Sequence, residues 1–204
     1  MRTFPALAAC AASALLLAGC GTFQDNTGTD NTDGSSGQQA QPTVDPDDDF
    51  QPLAVNMVAH SGTHFPNGVD GAIFGCSDTL VSVSTVPIEA ETPEEHTAAA
   101  IEFLLDDSQY YHGDPAVTNS LTLSETLELS NIEVDGDEVN VGLTGDVVIR
   151  GECEAYRIQA QLYGTAASTA GTENVNITVN GTELDDVLGV DPFDTSQVFA
   201  RDAE

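Results

Sequence analysis

The stretch Asn131-Ile132-Glu133-Val134-Asp135-Gly136-Asp137-Glu138-Val139-Asn140-Val141-Gly142-Leu143 decides the fold class. Apolar residues alternate with polar ones on both sides of a polar tetrad, so Ile132 and Val134 share one face, as do Val139, Val141 and Leu143. Pairing Val134 with Val139 and Ile132 with Val141 sets apolar side chains opposite one another and predicts a hairpin whose tight turn centres on Gly136-Asp137. The second strand is expected to run on through Val147 and Ile149. A sheet with one apolar face needs a covering layer.

Two helices supply that layer. Thr92-Pro93-Glu94-Glu95 opens the first: Thr92 caps, Pro93 suits the first helical position and Glu95 completes a capping box. Ala98, Ile101, Leu104 and Leu105 form its apolar stripe. The second follows Gly151-Glu152-Cys153, with Ala155, Ile158, Leu162 and Ala166 at helical spacing as far as about Ser168. Further strands are expected at Leu53 to Ala59, at Leu80 to Ile88, and at Asn174 to Val179, the last running into the Asn180-Gly181 hairpin signal. Leu184, Val187 and Leu188 close the fold. The expectation is a small single α+β domain over residues 53–190, with a mixed, mainly antiparallel sheet and two helices packed on one face. An acidic, loose tail of residues 191–204 follows, with Phe193, Val198 and Phe199 as its main apolar side chains.

Ahead of the domain, residues 1–19 read as a leader: Arg2, then an apolar run through Leu15, Leu16 and Leu17, then small Ala18 and Gly19 before Cys20. Leu17-Ala18-Gly19-Cys20 reads as a lipobox, which makes Cys20 the expected site of lipid attachment, detectable with labelled palmitate. The apolar run is too short to span a bilayer. Residues 20–52 are rich in Gly, Ser, Thr, Asn, Gln and Asp and form a tether of roughly 30 Å root-mean-square span. Its Asp45, Asp47, Asp48 and Asp49 lack the carboxylate spacing and turn glycine of a calcium loop, so they read as a solvated charge run.

The chain has 34 acidic residues against 4 basic ones and a formal net charge of -30. None of the basic residues is lysine, and beyond the leader only Arg150, Arg157 and Arg201 are cationic. No patch of cations exists to replace the counterions of nucleic acid, which excludes that class of partner, and anionic headgroups are disfavoured for the same reason. The membrane link is expected to be the lipid itself. Self-repulsion on this scale favours a salty or cation-rich exterior, as in a halophilic source.

With Cys10 in the leader and Cys20 on lipid, Cys76 and Cys153 remain as a pair in an oxidising compartment. A disulfide between them would stabilise the fold by roughly 4 kcal/mol on loop entropy; the alternative is two separate buried thiols. Two cysteines are too few ligands for a metal site, and neither a metal nor another cofactor is expected.

Candidate chemistry is sparse. His60 and His64 stand at the spacing of two zinc ligands on a helix, but Gly62, Pro66 and Gly68 deny a helix there and no Glu follows His60, so both read as loop histidines facing water. Ser61 lacks the glycine framing of a nucleophile elbow. His96 reads as a surface residue in the first turn of its helix. In the Tyr110-Tyr111-His112 loop, core packing of one tyrosine is the expected use, with stacking on a sugar or peptide the alternative. Arg150 and Arg157 are expected to pair with local carboxylates rather than to recognise an anionic partner. No catalytic residue is assigned, and Tyr110, Tyr111 and Arg157 are the candidate binding residues.

The words at the joints, taken in order, resemble the GerMN domain of bacterial envelope lipoproteins. They are Gly75-Cys76-Ser77-Asp78-Thr79-Leu80-Val81 running into Val86-Pro87, the Thr92 helix with its Ile101 to Leu105 stripe, Gly151-Glu152-Cys153 into Arg157-Ile158-Gln159-Ala160-Gln161-Leu162, and Val175 to Asn180-Gly181-Thr182-Glu183-Leu184. The chain carries one copy, with a long glycine-rich loop from Ser61 to Ala72. The resemblance implies a small α+β fold without known catalysis, used in envelope assemblies. The function expected is that of an extracytoplasmic, membrane-anchored lipoprotein that binds an envelope protein. The alternative is a small-ligand or cell-wall (peptidoglycan) binding lipoprotein, and an envelope hydrolase comes third.

Overall fold

In the computed structural model, which describes residues 50–66 and 68–199, the chain begins with β1 (Phe50–Ala59), β2 (Ala72–Phe74), β3 (Asp78–Glu89) and α1 (Pro93–Asp106). It continues through β4 (Tyr111–His112), β5 (Val117–Thr118), β6 (Glu128–Asp135), β7 (Glu138–Thr144) and α2 (Glu152–Ala170). It closes with β8 (Asn174–Val179), β9 (Thr182–Glu183), α3 (Leu184–Leu188) and α4 (Ser196–Phe199). The leader, Cys20 and the tether as far as Asp49 lie outside the described residues, as does Arg201. Among the described residues no helix is long and apolar enough to cross a membrane.

The hairpin forms in the expected register, with Val134 opposite Val139 and Ile132 opposite Val141. The α+β class holds, and the strands divide between two sheets. One is antiparallel with order β2-β3-β1-β5-β4; the other is mixed, with order β6-β7-β8-β9 and a parallel β7–β8 pair. Alternation shows which residues share a face but not which strand is the neighbour, and β1 and β7 are each claimed on both edges within separate sheets.

Strand β7 does not continue through Val147 and Ile149. It stops at Thr144, because Gly145 takes φ +109° and its backbone approaches Thr126 so closely that an added Cβ would lie 1.9 Å from the Thr126 carbonyl oxygen. The Asn180 side chain fixes the break, accepting from the Gly145 N–H at 3.2 Å and donating to its carbonyl at 2.8 Å. Val148 and Ile149 are consequently exposed.

Helix α1 starts on the predicted box: the Thr92 hydroxyl accepts from the Glu95 N–H at 3.1 Å, and the Glu95 carboxylate accepts from the Thr92 N–H at 3.2 Å. Each bond satisfies a donor that the first helical turn leaves open. Ile101 and Leu104 are fully buried, while Ala98 and Leu105 are partly so. The fully buried Ile158 and Leu162 of α2 each stabilise the fold by about 2 kcal/mol relative to exposure.

Helix α2 covers more than the expected single face. It contacts β1 and β3 of one sheet and β7 and β8 of the other, besides α1. Its buried set therefore extends beyond the apolar stripe to Gln159, Gln161 and Thr165. These polar groups are satisfied. Gln161 Oε1 accepts from the Ser120 N–H at 2.7 Å, its Nε2 donates to the Asn56 carbonyl at 3.2 Å, and Thr165 Oγ1 accepts from the Asn56 N–H at 2.9 Å.

The segment after Asp191 is not loose as far as Phe199. The Phe193 ring stacks on Tyr163 with centroids 5.9 Å apart, Gln159 Nε2 donates to the Asp191 carbonyl at 2.7 Å, and Thr195 Oγ1 donates to the Glu173 carbonyl. The partly buried Phe193 ring and these two hydrogen bonds anchor the segment to α2 and to the start of β8 despite the acidic residues around it.

Candidate functional site

Cys76, in the turn between β2 and β3, and Cys153, in the first turn of α2, form a disulfide with a Cα–Cα separation of 5.6 Å that spans 77 residues. Two residues after Cys76 and one helical turn after Cys153, a second tie repeats the join: Arg157 Nε donates to Asp78 Oδ2 at 2.5 Å. The other Asp78 oxygen accepts from the Ser61 N–H at 2.7 Å, which fastens the loop after β1 to the same point. Asp78 is 1% exposed. Burial alone would raise its carboxyl, but the hydrogen bonds from Arg157 and Ser61 outweigh this and hold it below the ordinary range.

His60 joins this cluster instead of facing open water. Its Nε2 lies 2.9 Å from Thr118 Oγ1, which itself donates to the Val58 carbonyl at 3.2 Å, and its ring meets Tyr110 edge-on with centroids 6.2 Å apart. Burial and the nearby Arg157 charge depress the His60 pKa, against the opposing influence of Asp78. His64 is exposed. Among the described residues no group of three or more His, Cys, Asp or Glu is placed to hold a metal ion. His96, read as a surface residue, is half-buried, and its Nε2 has no hydrogen-bond partner.

Neither Tyr110 nor Tyr111 enters the core. Tyr111 sits in β4, an edge strand of two residues, and is 66% exposed. Tyr110 meets it edge-on, with centroids 4.7 Å apart and planes at 88°. The next residue is tied down as well, since His112 Nε2 lies 2.7 Å from Asp107 Oδ2 and 2.9 Å from the Gln109 carbonyl. The tyrosines thus stand on a braced edge.

Tyr110, Tyr111 and Arg157, far apart in sequence, line one cleft of about 680 Å³ together with Arg150, Glu152 and Glu154. Both arginines of the domain are paired with carboxylates, as expected: Arg157 with Asp78, and Arg150 Nη2 with Glu154 Oε1 at 3.5 Å. On the other side of the disulfide lies a second cleft of about 640 Å³. It is lined by Ile73, Phe74, Tyr156 and Phe193, with Asp191 and Asp194 beside them. Glu152 reaches both clefts. The Asp78 and His60 contacts escape sequence reasoning because they join residues 79 and 58 positions apart on different elements, a pairing that no local periodicity encodes.

The architecture is that of a small α+β domain in which a central helix is tied to a strand turn by a covalent and an ionic link side by side. The family described as Germane, sporulation and spore germination, matches residues 46–185, and the chain belongs to it. No curated protein and no solved structure matches the chain.

Proposed function

We propose that the protein is a lipid-anchored, extracytoplasmic binding module without catalytic activity that docks an envelope protein. The Leu17-Ala18-Gly19-Cys20 lipobox and the tether to Pro52 support the anchor, with Cys20 carrying lipid. The observation that carries the docking reading is Ile73, which is 69% exposed on edge strand β2 above the cleft walled by Phe74, Tyr156 and Phe193. An apolar side chain held in water at a strand edge, over a cleft with aromatic walls and a carboxylate rim, marks an interaction surface. The carboxylates of Glu152, Asp191 and Asp194 on the same cleft select a partner segment with a cationic residue among apolar ones.

Two measurements test this in cells. Labelled palmitate enters the wild type and not Cys20→Ala. A photo-crosslinker at position 73 forms an adduct of one size that is lost on Phe193→Ala with Asp191→Asn, while the same group at Glu133 on β6 does not form it. Equal palmitate labelling overturns the anchor, and identical adducts at both positions overturn the docking face.

A further inference from the structure

The cleft at Tyr111 differs in chemistry from the one at Ile73. It has no aliphatic wall, its cations Arg150 and Arg157 are matched by the carboxylates of Glu152 and Glu154, and one aromatic face stands open to solvent. A peptide side chain finds no apolar socket there. An anion meets two carboxylates for two guanidinium groups, so Coulomb attraction is largely cancelled before it arrives.

What remains is suited to a neutral ligand with one apolar face and a polar rim. The electron-rich ring of Tyr111 takes the C–H face of such a ligand. Each guanidinium has five N–H donors, of which Arg157 commits Nε to Asp78 and Arg150 commits Nη2 to Glu154, leaving donors on both for hydroxyl oxygens. The exposed Glu152 carboxylate is open to accept from hydroxyl hydrogens, whereas both Glu154 oxygens are engaged by Arg150. The Arg150 side chain is 62% exposed and held at one end by Glu154, while Tyr111 is held by Tyr110 and His112 by Asp107, which lowers the ordering entropy that binding requires. We infer that this cleft binds a neutral carbohydrate, a pyranose ring of a glycan stacked on Tyr111 with its hydroxyls between Arg150 and Glu152. The site is separate from the protein contact proposed at Ile73, so either can fail alone.

The test uses the full chain and four neutral tetrasaccharides: β-1,4-linked N-acetylglucosamine, β-1,4-linked glucose, α-1,4-linked glucose and β-1,4-linked mannose. Binding is followed by titration calorimetry and by amide chemical shifts. At least one of them is expected to bind saturably with Kd below about 1 mM. Tyr111→Ala should weaken that binding by about tenfold or more, the equivalent of one aromatic stack, and Arg150→Ala should weaken it as well, while Tyr111→Phe keeps it. Ile73→Ser, in the other cleft, should leave it unchanged, and unaltered melting temperatures show that each variant is folded. Failure of all four sugars to bind, or binding indifferent to Tyr111→Ala, overturns the proposal. So does loss of the Ile73 crosslink in Tyr111→Ala without glycan binding, which would assign the cleft to the protein interface.

Discussion

Asp78 and Arg157 form a half-hidden ion pair: the carboxylate is 1% exposed, whereas the arginine side chain keeps 20% of its surface in water. The two ends of the bond therefore have unequal alternatives when the partner is removed. In Arg157→Ala the carboxylate stays buried with the Ser61 N–H as its described donor, an arrangement that costs about 3 kcal/mol. In Asp78→Ala the guanidinium turns to solvent, and the loss is nearer about 1–2 kcal/mol, mainly hydrogen bonding. Urea denaturation of the two variants checks the order; equal losses would show that the pair is exposed in solution.

Acid should act on the same cluster. His60 and Asp78 both have folded-state pKa values below their ordinary ones, 6.5 and 3.8. For both groups the unfolded chain then takes up a proton before the folded one does. Their stabilisation is fully present above the unfolded pKa and is lost as pH falls through the folded pKa. Stability should decline first from about pH 6.5 downward through His60 and again below about pH 3.8 through Asp78. Denaturation midpoints across this range test it, since His60→Gln should remove the first decline and leave the second.

The disulfide should contribute about 4 kcal/mol, given a closed span of 77 residues. The Cys76→Ser/Cys153→Ser double variant is expected to melt well below the wild type, and reduction of the wild type should reproduce the loss. Both clefts adjoin this bond, so glycan binding and the Ile73 crosslink should weaken together in the reduced protein.

Gln161 gives a prediction from the core. Gln161→Leu keeps the volume but leaves the Ser120 N–H and the Asn56 carbonyl without their partner, two buried backbone groups that together cost about 3 kcal/mol. A loss below about 1 kcal/mol in chemical denaturation would mean that water replaces the side chain.

The charge of the whole chain should be visible in salt. With a formal net charge of -30, repulsion opposes the compact state and is screened as the Debye length shortens, so the melting temperature should rise with sodium chloride. A melting temperature flat across the salt series would show that the carboxylates are spaced widely enough not to interact.

Much of the fold is legible in the chain. The Thr92 box, the Val134–Val139 pairing and the Asn180-Gly181 turn, where φ is +52° and +80°, are local signals and formed as read. The division into two sheets is not local: β1 meets β5 at a single pair, Val58 with Thr118, 60 positions apart. The all-round burial of α2 did leave a trace, since no charged residue occurs from Ile158 to Thr172, a stretch in which the apolar stripe alone suggests an ordinary surface helix. Of the candidate site, Tyr110, Tyr111 and Arg157 were visible as residue types. Their convergence beside Cys153 was not, because it follows from an edge strand crossing near the start of α2.

The bond between the Asn56 N–H and Thr165 Oγ1 joins positions 109 apart. β1 emerges early in synthesis, yet the helix that completes its surroundings arrives only after most of the domain has been made. Closing so long a loop is slow and earns little until the last contacts form. Until α2 is present the Asn56 N–H lacks the Thr165 hydroxyl and the Asn56 carbonyl lacks the Gln161 amide, so a chain cut short before residue 152 cannot complete the polar contacts of its own first strand.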